Sequence, residues 1–187
     1  VTSLVVDGEP DQEQYDGRQD VLAVSLSGAL VPLATLRTWK GADPWFGTFA
    51  ESTDLCRRIC LGGGRVVVVP QARIAHRRAR FEGVRSKNGQ PVEDEEGRVD
   101  PYLAVREANT KYAYTDVHRS WWPLLWIWSI LKALGLAVLC LMRKQPYHAC
   151  CELALPWRSL LHVPGAWRAR ARLREQSRVS LKALAAL

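Results

Sequence analysis

Glu51-Ser52-Thr53-Asp54-Leu55-Cys56-Arg57-Arg58-Ile59-Cys60-Leu61, then Gly62-Gly63-Gly64, then Arg65-Val66-Val67-Val68-Val69-Pro70, is the stretch on which the fold class turns. Its first part predicts a helix over 52–61. Ser52 or Thr53 can cap the N-terminus, Asp54 lies in the first turn, Arg57 and Arg58 lie toward the end, and glycine stops it. Each charge has the sign that the helix dipole favours at its position. The second part predicts a strand, because four β-branched residues stand between glycine and proline. Upstream, Val21 to Leu26 reads as a buried strand, and a turn follows at Ser27-Gly28. Leu30 to Trp39 resumes an apolar pattern, a further strand and a short helix. Strands and helices alternating in this way predict an α/β class. Residues 1–20 are polar, with turn signals at Asp7-Gly8 and Asp16-Gly17, and residues 82–101 read as a surface loop.

The character changes at Trp121. Trp121 to Met142 is 22 residues long with one charge, Lys132. As a helix it would extend about 33 Å, against roughly 30 Å of bilayer hydrocarbon. Trp121, Trp122, Trp126 and Trp128 crowd one end, as an interfacial belt would, and Arg143-Lys144 close the other. A buried core helix is the competing reading, which four tryptophans and a basic stop disfavour. A central lysine costs about 2.5–3.5 kcal/mol on insertion scales, and Pro123 and Gly135 invite a break. Two shorter helices lying in the interface therefore suit the stretch almost as well as one span. Beyond Pro146, Leu153, Leu155, Trp157, Leu160, Leu161 and Trp167 alternate with arginines, the composition of a membrane-surface helix.

The nine basic residues from Arg143 onward, set against Glu152 and Glu175, account for the whole net charge of +7. That basicity belongs to a tail and points to an anionic lipid surface. No nucleic-acid recognition motif accompanies it, so nucleic acid is not among the expected partners. Five cysteines, an odd number with two adjacent, imply neither a disulfide framework nor a zinc knuckle. Cys56 and Cys60 share a helix face and read as core filler.

Read together, Trp45-Phe46-Gly47, Glu51-Ser52-x-Asp54-Leu55 with Arg57-Arg58, the glycine run, Arg65-Val66-Val67 with Pro70, and His76 resemble the second half of the catalytic domain of family 2 glycosyltransferases. Asp11-Gln12-x-Gln14, Asp16-Gly17 and Asp20 to Val24 resemble the approach to it in large actinobacterial members. The resemblance implies the C-terminal half of a GT-A-like domain followed by membrane-associated helices. It divides the chain into a partial catalytic domain (1–81), a loop and connecting segment (82–120), a membrane-embedded or spanning helix (121–145) and basic amphipathic helices (146–187). The activity implied is transfer of a sugar, with inversion, from a nucleotide-sugar donor to a cell-envelope glycan or lipid-linked acceptor.

Such a transfer needs a carboxylate to take the acceptor's proton and a divalent metal, Mg or Mn, to neutralise the departing diphosphate. By position Glu51 is the first acid of the family's pair, and His76 matches the histidine that joins the metal. Ser52 stands where the second acid belongs, and Asp54 follows on the same helix. Trp45, Phe46 and Arg57 are placed to meet the acceptor. The plain alternatives are helix-start charges for Glu51 and Asp54, an N-cap for Ser52, and an exposed strand-end histidine for His76. No Asp-x-Asp motif occurs in the chain, so these residues alone are not expected to bind the donor. They read instead as part of a longer enzyme, with a non-catalytic membrane-docking module as the rival. The positive residues after Met142 place the tail on the cytoplasmic side of the cell membrane. A catalytic part on that same side calls for embedded or re-entrant helices in preference to one clean span.

Overall fold

A computed structural model describes residues 20–72 and 100–179. Five α-helices carry the architecture: α1 (Leu33–Trp39), α2 (Glu51–Leu61), α3 (Tyr102–Asp116), α4 (Trp122–Met142) and α5 (Pro146–Gln176). Single 3-10 turns lie at Leu26–Gly28, Pro44–Phe46 and Arg119–Trp121.

The α/β expectation is overturned: among the described residues there is no strand, and the class is helical. The physical reason lies in what surrounds the valine run. Arg65 to Val69 is extended, but only Asp20 bridges to it, opposite Val67. One backbone bond, Val21 N–H to the Val66 carbonyl at 3.0 Å, and the paired Arg65–Asp20 contacts at 2.8 and 2.7 Å complete the pairing. Val67, Val68 and Val69 are exposed. A β-branched run becomes a strand only where neighbours pair with it on a half-buried surface, and among the described residues no sheet receives this one. Val21 to Leu26 likewise turns into a 3-10 helix instead of continuing as a strand.

α5 is the axis of the fold, and α2, α3 and α4 all pack on it. α4 and α5 form an antiparallel hairpin closed at Arg143-Lys144, where Lys144 adopts the left-handed conformation and Gln145 N–H bonds the Cys140 carbonyl at 2.9 Å. Small side chains, Ala137, Cys140 and Ala149, bring the two helices together. Further along, the Trp126 indole donates to the Pro156 carbonyl at 2.9 Å and meets Trp157 edge-on. Pro123 and Pro146 sit in the first turns of α4 and α5, where a missing N–H costs nothing. Gly135 does not break α4, which runs unbroken for 21 residues.

Tyr102–Asp116, read from the sequence as part of a connecting segment, is a helix of about four turns. Asp100 starts it by accepting the Tyr102 N–H at 2.8 Å. α3 runs parallel to α5 and is fastened to it by polar groups. Arg106 grips Glu152 at 2.6 and 2.9 Å, Arg158 grips Glu107 at 2.8 and 3.0 Å, and Arg170 donates to the Thr115 and Val117 carbonyls at 2.9 and 2.6 Å. The chain end then returns to α2, where the Arg178 and Val179 N–H groups both donate to the Leu61 carbonyl.

Candidate functional site

α2 begins at Glu51, one residue before the predicted start, and its cap position is Ala50. Ser52 therefore does not cap the helix. Its hydroxyl instead accepts the Leu26 N–H at 3.3 Å, tying the first turn to the preceding segment. Glu51 stands half-buried in that first turn, where the helix N-terminus favours its negative charge.

Asp54 is 2% exposed, and both its oxygens are engaged. Arg57 reaches one at 3.2 Å and Arg58 the other at 2.8 Å. Arg57 also donates to Thr115 at 2.8 Å and Asp116 at 2.6 Å on α3, and its guanidinium stacks 4.1 Å above the Tyr112 ring. Arg58 turns the other way and donates to the Trp39 and Gly41 carbonyls. Asp54, Arg57 and Arg58 thus form a buried fastener joining α1, α2 and α3. Burial pushes the Tyr112 hydroxyl up to about 12, against the pull of the Arg57 charge, so it stays protonated. The two guanidiniums thus occupy both Asp54 oxygens, and the Arg57 guanidinium faces inward, toward α3.

Phe46 is 1% exposed and packs with Ala50, Ala108 and Ala169. Trp45 lies against α5 at Gly165, where a Cβ would fall 2.0 Å from the indole nitrogen. Only glycine permits that approach. Lys111 holds the Trp45 carbonyl at 2.9 Å and lies over its ring.

A groove of about 240 Å³ opens where the loop Phe46–Phe49 faces α3, walled by Ala104, Glu107, Ala108 and Lys111. It is smaller than the roughly 300–1,000 Å³ of sites for drug-sized ligands. Phe49, two residues before Glu51, is one wall. The Glu107 carboxylate, another wall, is met by Lys111 at 3.3 Å, Arg158 at 2.8 Å and His162 at 2.7 Å. Burial works to raise its pKa, and the hydrogen bond from Arg158 with the charges of Lys111 and Arg158 outweighs burial, holding it below the ordinary carboxylate range. The groove therefore carries aromatic surface, an ionised carboxylate and an ammonium, groups able to stack on and hydrogen-bond a polyhydroxylated ring.

Glu107, Lys111 and Phe49 were not singled out from sequence, although the Glu107–Lys111 spacing is the i,i+4 pair that marks an exposed helix face. His76 lies outside the described residues. Among the described residues, no three His, Cys, Asp or Glu side chains come together to hold a metal ion.

The residues placed at the membrane on sequence grounds fall on α4 and its ends. Trp121 and Trp128 are exposed, Trp122 is buried against Tyr114 and Ala166, and Trp126 is half-buried against α5. Lys132, Arg143 and Lys144 are exposed. Only 17% of the apolar stretch of Arg119–Met142 is buried, far less than the core helix of a soluble domain would show.

The glycosyl transferase family group 2 matches this chain over residues 1–167, from the N-terminal segment through α4 and two-thirds of α5. The chain belongs to that family. No curated protein and no solved structure matches it.

Proposed function

We propose that this chain forms the acceptor side of an inverting sugar transfer carried out at the cytoplasmic face of the cell membrane. The observation that supports it most is the extent of the family match, which takes in both the Glu51 helix and the apolar hairpin as one unit. Glu51 takes the proton of the acceptor hydroxyl. The freed oxygen attacks the anomeric carbon of the donor, and the nucleotide diphosphate leaves from the opposite side with the bonding pair, which inverts the centre. The groove beside Phe49 holds the acceptor ring, part of a cell-envelope glycan or a lipid-linked sugar. His76 would be one ligand of a divalent metal, which would supply charge neutralisation for the leaving diphosphate.

The test is transfer from nucleotide sugars by the full-length protein in Mg or Mn, with and without chelator. Glu51→Gln should lower kcat by about 10²–10⁴-fold while the melting profile is unchanged. Undiminished turnover removes Glu51 from the mechanism, and persistence in chelator removes the metal.

A further inference from the structure

Membrane contact, on the reading above, leaves open how the hairpin sits. We infer that α4 and α5 lie in the plane of the membrane, their shared apolar face set into one leaflet of an anionic bilayer, and that neither helix crosses it. Three features carry this.

The first is the pattern of exposure. By the 3.6-residue period Leu124, Ile127, Leu131, Leu134 and Val138 occupy one side of α4, and all are exposed. Leu153, Trp157, Leu160, Leu161 and Trp167 do the same on α5. The Trp126–Trp157 contact sets these two sides next to each other, and α3 packs on α5 away from them. A continuous apolar face of this extent marks an interaction surface on any protein.

Charge placement is the second. Lys132, half-way along α4, lies on the flank toward Glu152, close enough for its charge to lower the pKa of that carboxylate. Glu107–Arg158 and Arg106–Glu152 lie at the same level of the bundle, and Arg158 is 46% exposed. Were α4 to cross the bilayer, α3 and these charges would be carried to hydrocarbon depth, at several kcal/mol each. Lying flat, the bundle keeps all of them on the water side.

The third is the basic pair of ends. Arg119 and Arg168 stand near the end where Trp122 meets Ala166, and Arg143-Lys144 close the other. Anionic headgroups of a single leaflet complement both ends at once. A span would send one of the basic ends across the membrane, against the inside-positive bias.

Cysteines placed at the two ends of α4, Ser120→Cys and Gln145→Cys, test this in the full chain expressed in bacteria, with the unsubstituted chain as blank. Each is treated with a membrane-impermeant maleimide in intact spheroplasts and in inverted vesicles. A flat hairpin gives both positions the same pattern. Opposite patterns show a span, and protection of Gln145→Cys in both preparations until detergent shows a re-entrant hairpin. Either result overturns the inference while membrane contact stands. A chain found wholly in the soluble fraction overturns both. In parallel, Ile127→Lys with Leu131→Lys should cut binding to phosphatidylcholine–phosphatidylglycerol vesicles by at least about tenfold with helicity retained. Unchanged binding also overturns the inference.

Discussion

α2 and α4 invert each other's burial. In α2 the charged groups Asp54, Arg57 and Arg58 are inside, while in α4 the large apolar groups Leu131, Leu134 and Val138 are outside. The first helix buries Leu55, Cys56, Ile59 and Leu61 together with an ion cluster in which Asp54 pairs with both guanidiniums. The second spends only a narrow stripe, Trp122, Ala133, Ala137 and Cys140, on its neighbour. The contrast teaches that hydrophobicity does not set the depth of a segment in this molecule. Connection to partners does.

The largest way to break the contrast is Asp54→Ala. It leaves Arg57 and Arg58 buried without their shared carboxylate, and should cost about 3–5 kcal/mol in denaturant unfolding. Leu134→Ala, which removes far more apolar surface from α4, should stay within about 0.5 kcal/mol in the same detergent-solubilised measurement. Equal losses would mean that α4 packs against something more than α5.

A smaller effect should follow Gly165→Ala. The added methyl meets the Trp45 indole, so the Pro44–Phe46 turn must shift at a cost of about 1–3 kcal/mol, read as a lower unfolding midpoint. An unchanged midpoint would show that the turn gives way freely.

The smallest effect is acid sensitivity at the α3–α5 contact. Burial and the Lys111 charge lower the His162 pKa from its ordinary 6.5, against the opposing pull of Glu107. The unfolded chain then binds a proton that the folded one resists, and stability declines as pH falls below about 6.5. For Glu152 burial would raise the pKa, and the Arg106 and Tyr102 hydrogen bonds outweigh it, leaving it below its ordinary 4.5. Its contribution is whole above 4.5 and drains as pH falls through the folded value, as does that of Glu107. Unfolding midpoints from about pH 2 to about pH 8 should show both limbs, and His162→Gln should remove the upper one. Persistence of that limb in the variant would assign it elsewhere.

Much of this arrangement could be read from residue order. α2 was legible because its charges, cysteines and terminal glycines all agree on one helix, and α4 because Trp121 to Met142 is apolar and long enough for one, although Pro123 and Gly135 left a break between two shorter helices open. The valine run misled, since β-branching records a preference that only a neighbouring strand can realise. α3 escaped notice for the opposite reason. Its contact surface is Arg106, Glu107, Lys111 and Thr115, residues that read as solvent-facing until Glu152, Arg158 and Arg170 are seen opposite them. At the site, Glu51 was visible as the first acid of a familiar pair. The inward turn of Arg57 was not, because its partner Asp116 lies 59 residues away.

The return of the chain end to α2 gives α5 a double attachment. Near its start it lies along α4, and just past its end Arg178 and Val179 grip the last carbonyl of α2, with Leu173 against Leu61 beneath. At 1.5 Å per residue its 31 residues extend about 46 Å. Among the described residues, α5 therefore joins the hairpin directly to the helix that bears Glu51. A tilt or lift of the hairpin is passed along α5 toward that carboxylate, and Pro156 and Pro164 inside the helix are the places where it can bend on the way.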